Sequence, residues 1–231
     1  MNKQGNTYTF VYSAVLVIIV AALLSFVALG LQPRQNENIE NEKRQNILTS
    51  IHIASDSKNS QIEFDKYIKK MFVINHKGER IEGDAFDVNL AKENKKPLEK
   101  RQLPVFVAEV NGETKYILPV YGKGLWGPIW GYISFNEDKN TIYGTLFDHK
   151  GETPGLGAEI TKPDFSGQFD GKQIFEDGKL ISVSVKKGGG ASGNYEVDGI
   201  SGGTITSRGV ENMLKHYLSS YESFLKTKSD E

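Results

Sequence analysis

Asp198-Gly199-Ile200-Ser201-Gly202-Gly203-Thr204-Ile205-Thr206 is the stretch on which the fold of this 231-residue chain turns. Before it lies a short extended run, Tyr195 to Val197. After it, Val210, Met213, Leu214, Tyr217, Leu218, Tyr221 and Leu225 recur at helical spacing. That spacing predicts a helix from about Thr206 to Lys226 with one buried face. A strand therefore feeds a helix through a turn of small residues. Such residues let a bulky group approach the backbone closely. The first turn of a helix also offers free N–H groups and the positive end of a dipole, which suits a phosphate. A threonine hydroxyl at this point would hold a phosphate or be esterified to one. The same residues also read as an ordinary glycine-rich turn in which Thr206 or Ser207 caps the helix, and the pattern alone leaves both readings open.

Working outward, the β signal dominates upstream. Val105 to Val110 and Tyr116 to Tyr121 flank Asn111-Gly112, the strongest short hairpin dipeptide. Trp130 to Phe135 and Thr141 to Phe147 predict two further strands joined through Asn136 to Asn140. Leu180 to Lys186 predicts another, separated from Tyr195 to Val197 by the flexible Gly188-Gly189-Gly190 loop. Nearer the N-terminus, Met71 to Asn75 and the run from Arg80 read as strand, turn, strand about His76-Lys77-Gly78-Glu79. Residues 83–103 read as a charged surface excursion. Ser60 to Lys70 reads as a helix capped by Ser60, with Ile62, Tyr67 and Ile68 inward. The class is α+β: an N-terminal transmembrane helix, then an antiparallel-rich sheet packed with helices.

The transmembrane assignment rests on Phe10 to Leu31, which carries no charge over 22 residues and suffices to span a hydrocarbon core of about 30 Å. It exceeds the apolar region of a signal peptide, about 7–15 residues, and no small-residue cleavage site follows it. A retained anchor is the expectation. Residues 33–55 are polar and helix-favouring, with Ile39, Ile47, Leu48 and Ile51 near helical spacing, as in a stalk. The expected division is 1–32 for a short tail and anchor, 33–70 for a helical stalk or subdomain, and 71–231 for the main domain. Lys3 precedes the span, and Arg34, Lys43 and Arg44 follow it interleaved with Glu37, Glu40 and Glu42, so charge alone does not set the topology.

Composition removes several classes of function. Lys plus Arg is 28 against 29 for Asp plus Glu, without the basic excess a nucleic-acid partner calls for. There are no cysteines, hence no disulfides, thiolate metal sites, cysteine nucleophiles or cysteine-ligated iron–sulfur clusters. His52, His76, His149 and His216 are scattered without metal-ligand spacing. No G-x-G-x-x-G follows an early strand, which argues against an internal dinucleotide site. Redox chemistry in this chain would come from an added organic cofactor.

Three segments carry a family resemblance. Residues 198–204 resemble the flavinylation motif of the FMN-binding domain family, D-x-x-S/T-G-A-T, whose final threonine is joined to FMN through a phosphoester. Asp198, Ser201, Gly202 and Thr204 match by position, and Gly203 stands where alanine is usual. Glu152-Thr153-Pro154-Gly155-Leu156-Gly157 resembles the E-T-P-G-L-G signature of the same domain, a rigid loop that the family places against the flavin, here with Leu156 as its apolar tip. Gly122 to Tyr132, with Gly124-Leu125-Trp126 at its heart, is similar to the G-x-G-L-W stretch of the C-subunit family of sodium-translocating NADH:quinone oxidoreductases. Trp126 there either covers an isoalloxazine edge or belongs to the core.

The resemblance implies covalent FMN on Thr204, with Thr206 the lesser acceptor, in an electron-carrying subunit of a membrane complex that oxidises NADH, reduces quinone and pumps sodium. It implies electrons arriving from an iron–sulfur centre and leaving to a second covalent FMN in a neighbouring subunit, with no NADH or quinone site and no general acid or base in this chain. It also implies a flavin transferase that takes FMN from FAD with magnesium, for which Asp198 serves recognition or maturation. The soluble domain would lie on the outer side of the inner membrane. Lys186, Lys187 and Arg208 are expected to offset phosphate charge. The alternatives are the homologous G subunit of a ferredoxin-linked complex and a flavin-free extracytoplasmic scaffold.

Overall fold

The structure, a computed structural model, describes residues 5–227; Lys3, which enters the orientation argument, lies outside the described residues. The chain divides into two compact units, residues 1–43 and 44–231. Helix α1 (Asn6–Thr49) contains the expected span. Every residue from Phe10 to Leu31 is exposed, over a rise of about 33 Å. A helix satisfies its own backbone groups, so a hydrocarbon environment accepts this uncovered apolar surface where water would not. Among the described residues it is the one helix long and apolar enough to cross a membrane. Pro33, just beyond the apolar run, stays inside the helix.

The second unit begins with the last turn of α1. Ile47 and Leu48, with Ile51 just after the helix, are fully buried. Helix α2 (Ser60–Tyr67) follows. Its inward residue is Phe64, 5% exposed, whereas Ile62, expected inward, is 67% exposed. Nor does Ser60 cap it: Asn59 holds the N-cap position, and Asp56 Oδ1 shapes the entry by accepting from Lys58 N and Asn59 N at 2.8 and 3.0 Å. The chain passes from α2 directly into β1 (Ile68–Ile74), three residues before the expected strand start. Pairing of Ile68 with Ala108 on a neighbouring strand outweighs the helical preference of the intervening lysines. The turn to β2 (Arg80–Ile81) places Gly78 at φ +81°, where glycine is favoured. Helix α3 (Leu90–Glu93), capped by the Asn89 side chain, interrupts the charged excursion.

Four long strands follow, β3 (Leu103–Val110), β4 (Glu113–Lys123), β5 (Pro128–Phe135) and β6 (Ile142–His149). With β1 and β2 they form a six-stranded sheet of order β2-β1-β3-β4-β5-β6, antiparallel throughout. The β3–β4 turn has both Asn111 and Gly112 at positive φ, 53° and 80°, as a tight two-residue hairpin requires. Alternation along β4 sends Ile117 to a core with Ile47, Leu48, Ile51 and Phe64, and Leu118 to a larger core on the opposite face. Both faces of the sheet are thus covered.

Beyond β6 come the short helix α4 (Pro163–Ser166) and four small strands, β7 (Phe175–Glu176), β8 (Lys179–Leu180), β9 (Ser184–Lys186) and β10 (Glu196–Asp198). The single strand expected over Leu180 to Lys186 is broken at Ser182, which sits at φ +65°. The two pieces pair separately, β8 with β7, and β9 with β10 in parallel. The final helix is likewise two, α5 (Thr204–Ser220) and α6 (Glu222–Lys226). The break falls at Tyr221, whose fully buried side chain donates its hydroxyl to Pro104 O of β3 at 2.9 Å. That anchor fixes where the helix must turn. Tyr221→Phe is expected to destabilise the detergent-solubilised chain by about 1–2 kcal/mol, since it leaves a buried carbonyl without its donor; urea unfolding followed by tryptophan emission measures this.

Candidate functional site

The turn from β10 into α5 is held from within. Gly203 N donates to Ile200 O at 3.0 Å, and Ile200 N donates to Ser207 Oγ at 3.0 Å. Gly202 takes φ +73°, and a Cβ there would meet Leu156 Cδ2 at 2.6 Å. It is glycine both for its backbone angle and for the approach of the Leu156 loop. Thr204 is the first residue of α5 and half-buried, and Gly203 occupies the N-cap position without any side-chain cap. Neither Thr206 nor Ser207 caps the helix. Ser207 braces the turn instead, and Thr206 points elsewhere.

Thr206, 1% exposed, donates its hydroxyl to Glu152 Oε2 at 2.6 Å. The other oxygen, Glu152 Oε1, accepts from Trp126 N at 2.9 Å. Glu152 N donates to His149 Nδ1 at 3.1 Å. One buried carboxylate, 5% exposed, therefore ties together the three segments on which the family resemblance rests. The space around it is made by glycine. A Cβ on Gly124 would come within 2.5 Å of Oε1, and one on Gly157 within 2.5 Å of Oε2.

The outer edge of this constellation is apolar. Leu125 and Trp126 sit at the tip of the β4–β5 hairpin, closed by Gly124 N donating to Gly127 O at 2.8 Å. They are 45% and 70% exposed; the position at a hairpin tip removes Trp126 from the core. Thr153-Pro154-Gly155-Leu156 forms a turn in which Thr153 O accepts from Leu156 N at 3.1 Å and Gly155 lies at φ +74°. Leu156 and Ile205 are exposed as well. Ile205 escapes sequence reasoning, because it lies on the polar side of the α5 stripe and gains meaning only beside Thr204. Ser201 is exposed at the turn.

A narrow crevice beside Thr204 is lined by Lys186, Lys187 and Arg208 together with Ser207. Lys186 is engaged by Glu196 at 2.8 Å, so Lys187 and Arg208 are the freer charges. Asp198 is turned toward the chain itself: Oδ1 accepts from Ala191 N at 2.7 Å, and its backbone N donates to Gln168 Oε1 at 2.8 Å. It fastens the triple-glycine loop to the start of the turn. Among the described residues no group of three or more His, Cys, Asp or Glu could hold a metal.

Residues 124–219 match the FMN-binding domain family. Over 94% of this chain and 91% of its own length, the C subunit of the Na(+)-translocating NADH-quinone reductase of Haemophilus ducreyi is 30% identical. The crystal structure of the corresponding protein from Parabacteroides distasonis superposes with a TM-score of 0.81 at 50% identity, covering 86% of this chain and 98% of that one. Shewanella oneidensis NqrC superposes with a TM-score of 0.70 at 28% identity, covering 80% and 95%.

Two outcomes follow from this geometry. Glu152→Leu removes both acceptor oxygens and leaves the Trp126 N–H and the Thr206 hydroxyl without a partner. It is expected to lower stability by about 1–3 kcal/mol, and Thr206→Val by a similar amount. The double variant should lose less than their sum, because both break one shared bond; a urea-denaturation double-mutant cycle reads this. Gly203→Ala would place Cβ 2.9 Å from Ile200 Cγ2 and is expected to cost about 1 kcal/mol. Ile200→Leu removes that branch, with Cβ of residue 200 and Leu156 O still 3.1 Å away, and should restore part of the loss, as read by thermal melts of the two variants.

Proposed function

This chain belongs to the C-subunit family of the Na+-translocating NADH-quinone reductases, and from that premise we propose that it carries FMN as a phosphoester on Thr204 Oγ1. The chain is a flavoprotein subunit of an oxidoreductase complex. The observation that carries the finer reading is the convergence at Thr204. A half-buried threonine opens a helix, beside a crevice bearing Lys187 and Arg208, beneath a rim of exposed Leu125, Trp126, Leu156 and Ile205.

The residues present fit the group. The first-turn N–H groups of α5 and the dipole of a 17-residue helix favour a phosphate, and Arg208 and Lys187 add charge of the right sign. Gly202 and Gly203 keep side chains away from the attachment point. The apolar rim offers a surface for a flat ring, with Leu156 and Trp126 the expected contacts. FMN supplies the electron-accepting and electron-donating chemistry, and the protein supplies position and electrostatics. Glu152 acts through Thr206 and Trp126, holding the rim and the attachment turn in one frame. Thr153, Gly155 and Gly157 shape the loop that presents Leu156. Asp198 supports the turn that a flavin transferase, using FAD and magnesium, recognises during maturation.

In this reading α1 holds the protein in the inner membrane as a single pass, with residues 44–231 on the extracytoplasmic side. The other subunits of the sodium-pumping complex supply and accept the electrons. Anchoring suits a relay, since an ester bond prevents loss of the cofactor and the membrane fixes the carrier near its partners.

Intact mass of the chain co-expressed with a flavin transferase is the test. An FMN-sized increase is expected in wild type and in Thr206→Ala, and none in Thr204→Ala. A flavin-free wild type beside a demonstrably active transferase would overturn the proposal and return the scaffold reading.

A further inference from the structure

A second depression lies on α5 away from Thr204. It has a volume of about 680 Å³ and opens between α5, the end of β4, the start of β5 and the segment after α3. Close approach of helix and strand makes its floor. A Cβ on Gly122 would lie 2.7 Å from Met213 Cβ, and one on Gly209 would lie 2.6 Å from Lys123 O. Without side chains at these two positions the cleft has depth.

Its charge is of one sign. Arg101 and Lys123 line it, and no Asp or Glu does. Arg101 is only 8% exposed, yet among the described residues no carboxylate pairs with it. Glu93, the acid beside it in the fold, is spent on Lys96 at 2.7 Å and on Gln102 N at 3.0 Å. The guanidinium donates from Nε to Lys96 O at 3.0 Å, from Nη2 to Asn94 O at 3.2 Å and from Nη1 to His216 Nε2 at 2.7 Å. Of its five N–H groups, one thus remains on each terminal nitrogen, and such donors suit an oxyanion. His216 is a neutral acceptor in this arrangement: partial burial, and then the Arg101 charge, hold its imidazole below the usual range. A nearly buried cation surrounded by neutral acceptors is a costly element unless a counter-charge joins it. The rest of the lining includes Tyr121, Pro128 and Met213, which suit an apolar body.

We infer that this cleft binds a small organic oxyanion, a carboxylate or phosphate monoester carried on a ring-sized apolar body. Arg101 and Lys123 take the anionic group, and the Tyr121–Met213 side takes the ring. The site is separate from the flavin attachment. Gly209 lies five residues beyond Thr204, a rise of about 7.5 Å along the helix, and turned well round it. The occupant would lie against Gly127 and Pro128, directly beside the hairpin tip that presents Trp126.

The test uses the full chain in detergent, both wild type and the flavin-free Thr204→Ala, titrated with benzoate, phenyl phosphate and inorganic phosphate while the His216 imidazole resonances and tryptophan emission are followed. Saturable shifts are expected with at least one ring-bearing probe in both proteins; which probe binds more tightly identifies the anionic group. Inorganic phosphate should bind about tenfold more weakly, and Lys123→Gln should weaken the ring-bearing probe about tenfold. Arg101→Gln should abolish binding, and Lys123→Gln keeps the test decisive if that variant does not fold. Non-saturable shifts, inorganic phosphate binding as tightly as the ring-bearing probes, or affinity unchanged in Lys123→Gln would each overturn the inference. Loss of binding in Thr204→Ala alone would overturn its separation from the flavin.

Discussion

The Glu152 carboxylate is the constraint on which the site depends. A buried carboxylate is tolerated when its oxygens receive hydrogen bonds, and here the donors come from distant parts of the chain: Trp126 N from the β4–β5 hairpin and Thr206 Oγ1 from the first turn of α5. Satisfying one side chain therefore sets three loops in register. The hairpin tip, the Leu156 turn and the start of α5 cannot shift independently without leaving a buried oxygen or donor unmade. Gly124 and Gly157 follow as consequences, since a methyl group at either would occupy the space of the carboxylate.

What surrounds that anchor divides by chemistry along α5. Toward Thr204 the exposed groups are aliphatic and aromatic, backed by Lys187 and Arg208 in the crevice. Further along the helix, at Gly209 and His216, the cleft is cationic and floored by glycine. The helix is amphipathic toward the sheet and differentiated again on its outer surface. The sheet makes this possible: with cores on both faces, the six strands form a rigid platform, and the site's groups collect at one end of its strands, where β4 and β6 end and β5 begins.

Much of this was legible in the sequence because local chemistry decided it. Asn111-Gly112 has both residues at positive φ, as does Asp177-Gly178 in the small β7–β8 hairpin. The uncharged run Phe10 to Leu31 could satisfy its backbone only as a helix. The three segments quoted for the resemblance were legible as motifs, and the structure brings them together at Glu152. Reading failed where tertiary contacts arbitrated. Ile62 and Phe64 both suit an inward position, and only packing against Phe106 and Phe86 selects Phe64. Trp126 looks like core by composition, but a hairpin tip exposes it. Tyr221 belongs to a regular apolar stripe, yet its bond to Pro104 O ends the helix. The Thr206–Glu152 bond spans 54 residues, beyond any periodicity, and Arg101 meets His216 across 115.

The departure at Gly203 fits the same logic of mutual accommodation. Its φ of −101° is open to any residue, so backbone geometry does not demand glycine. The space beside it is filled by Ile200 Cγ2, with Leu156 O close behind. A β-branched residue at 200 reaches toward position 203, and the smaller residue at 203 leaves room for it. The absent Cβ at 203 leaves the space that the Ile200 branch fills, and the turn keeps its hydrogen bonds from Gly203 N to Ile200 O and from Ile200 N to Ser207 Oγ. The placement of Thr204 rests on those bonds and on the Glu152 anchor. A motif with glycine in place of the usual alanine therefore still holds its threonine in a hydrogen-bonded frame, with Ile200 filling the space beside position 203.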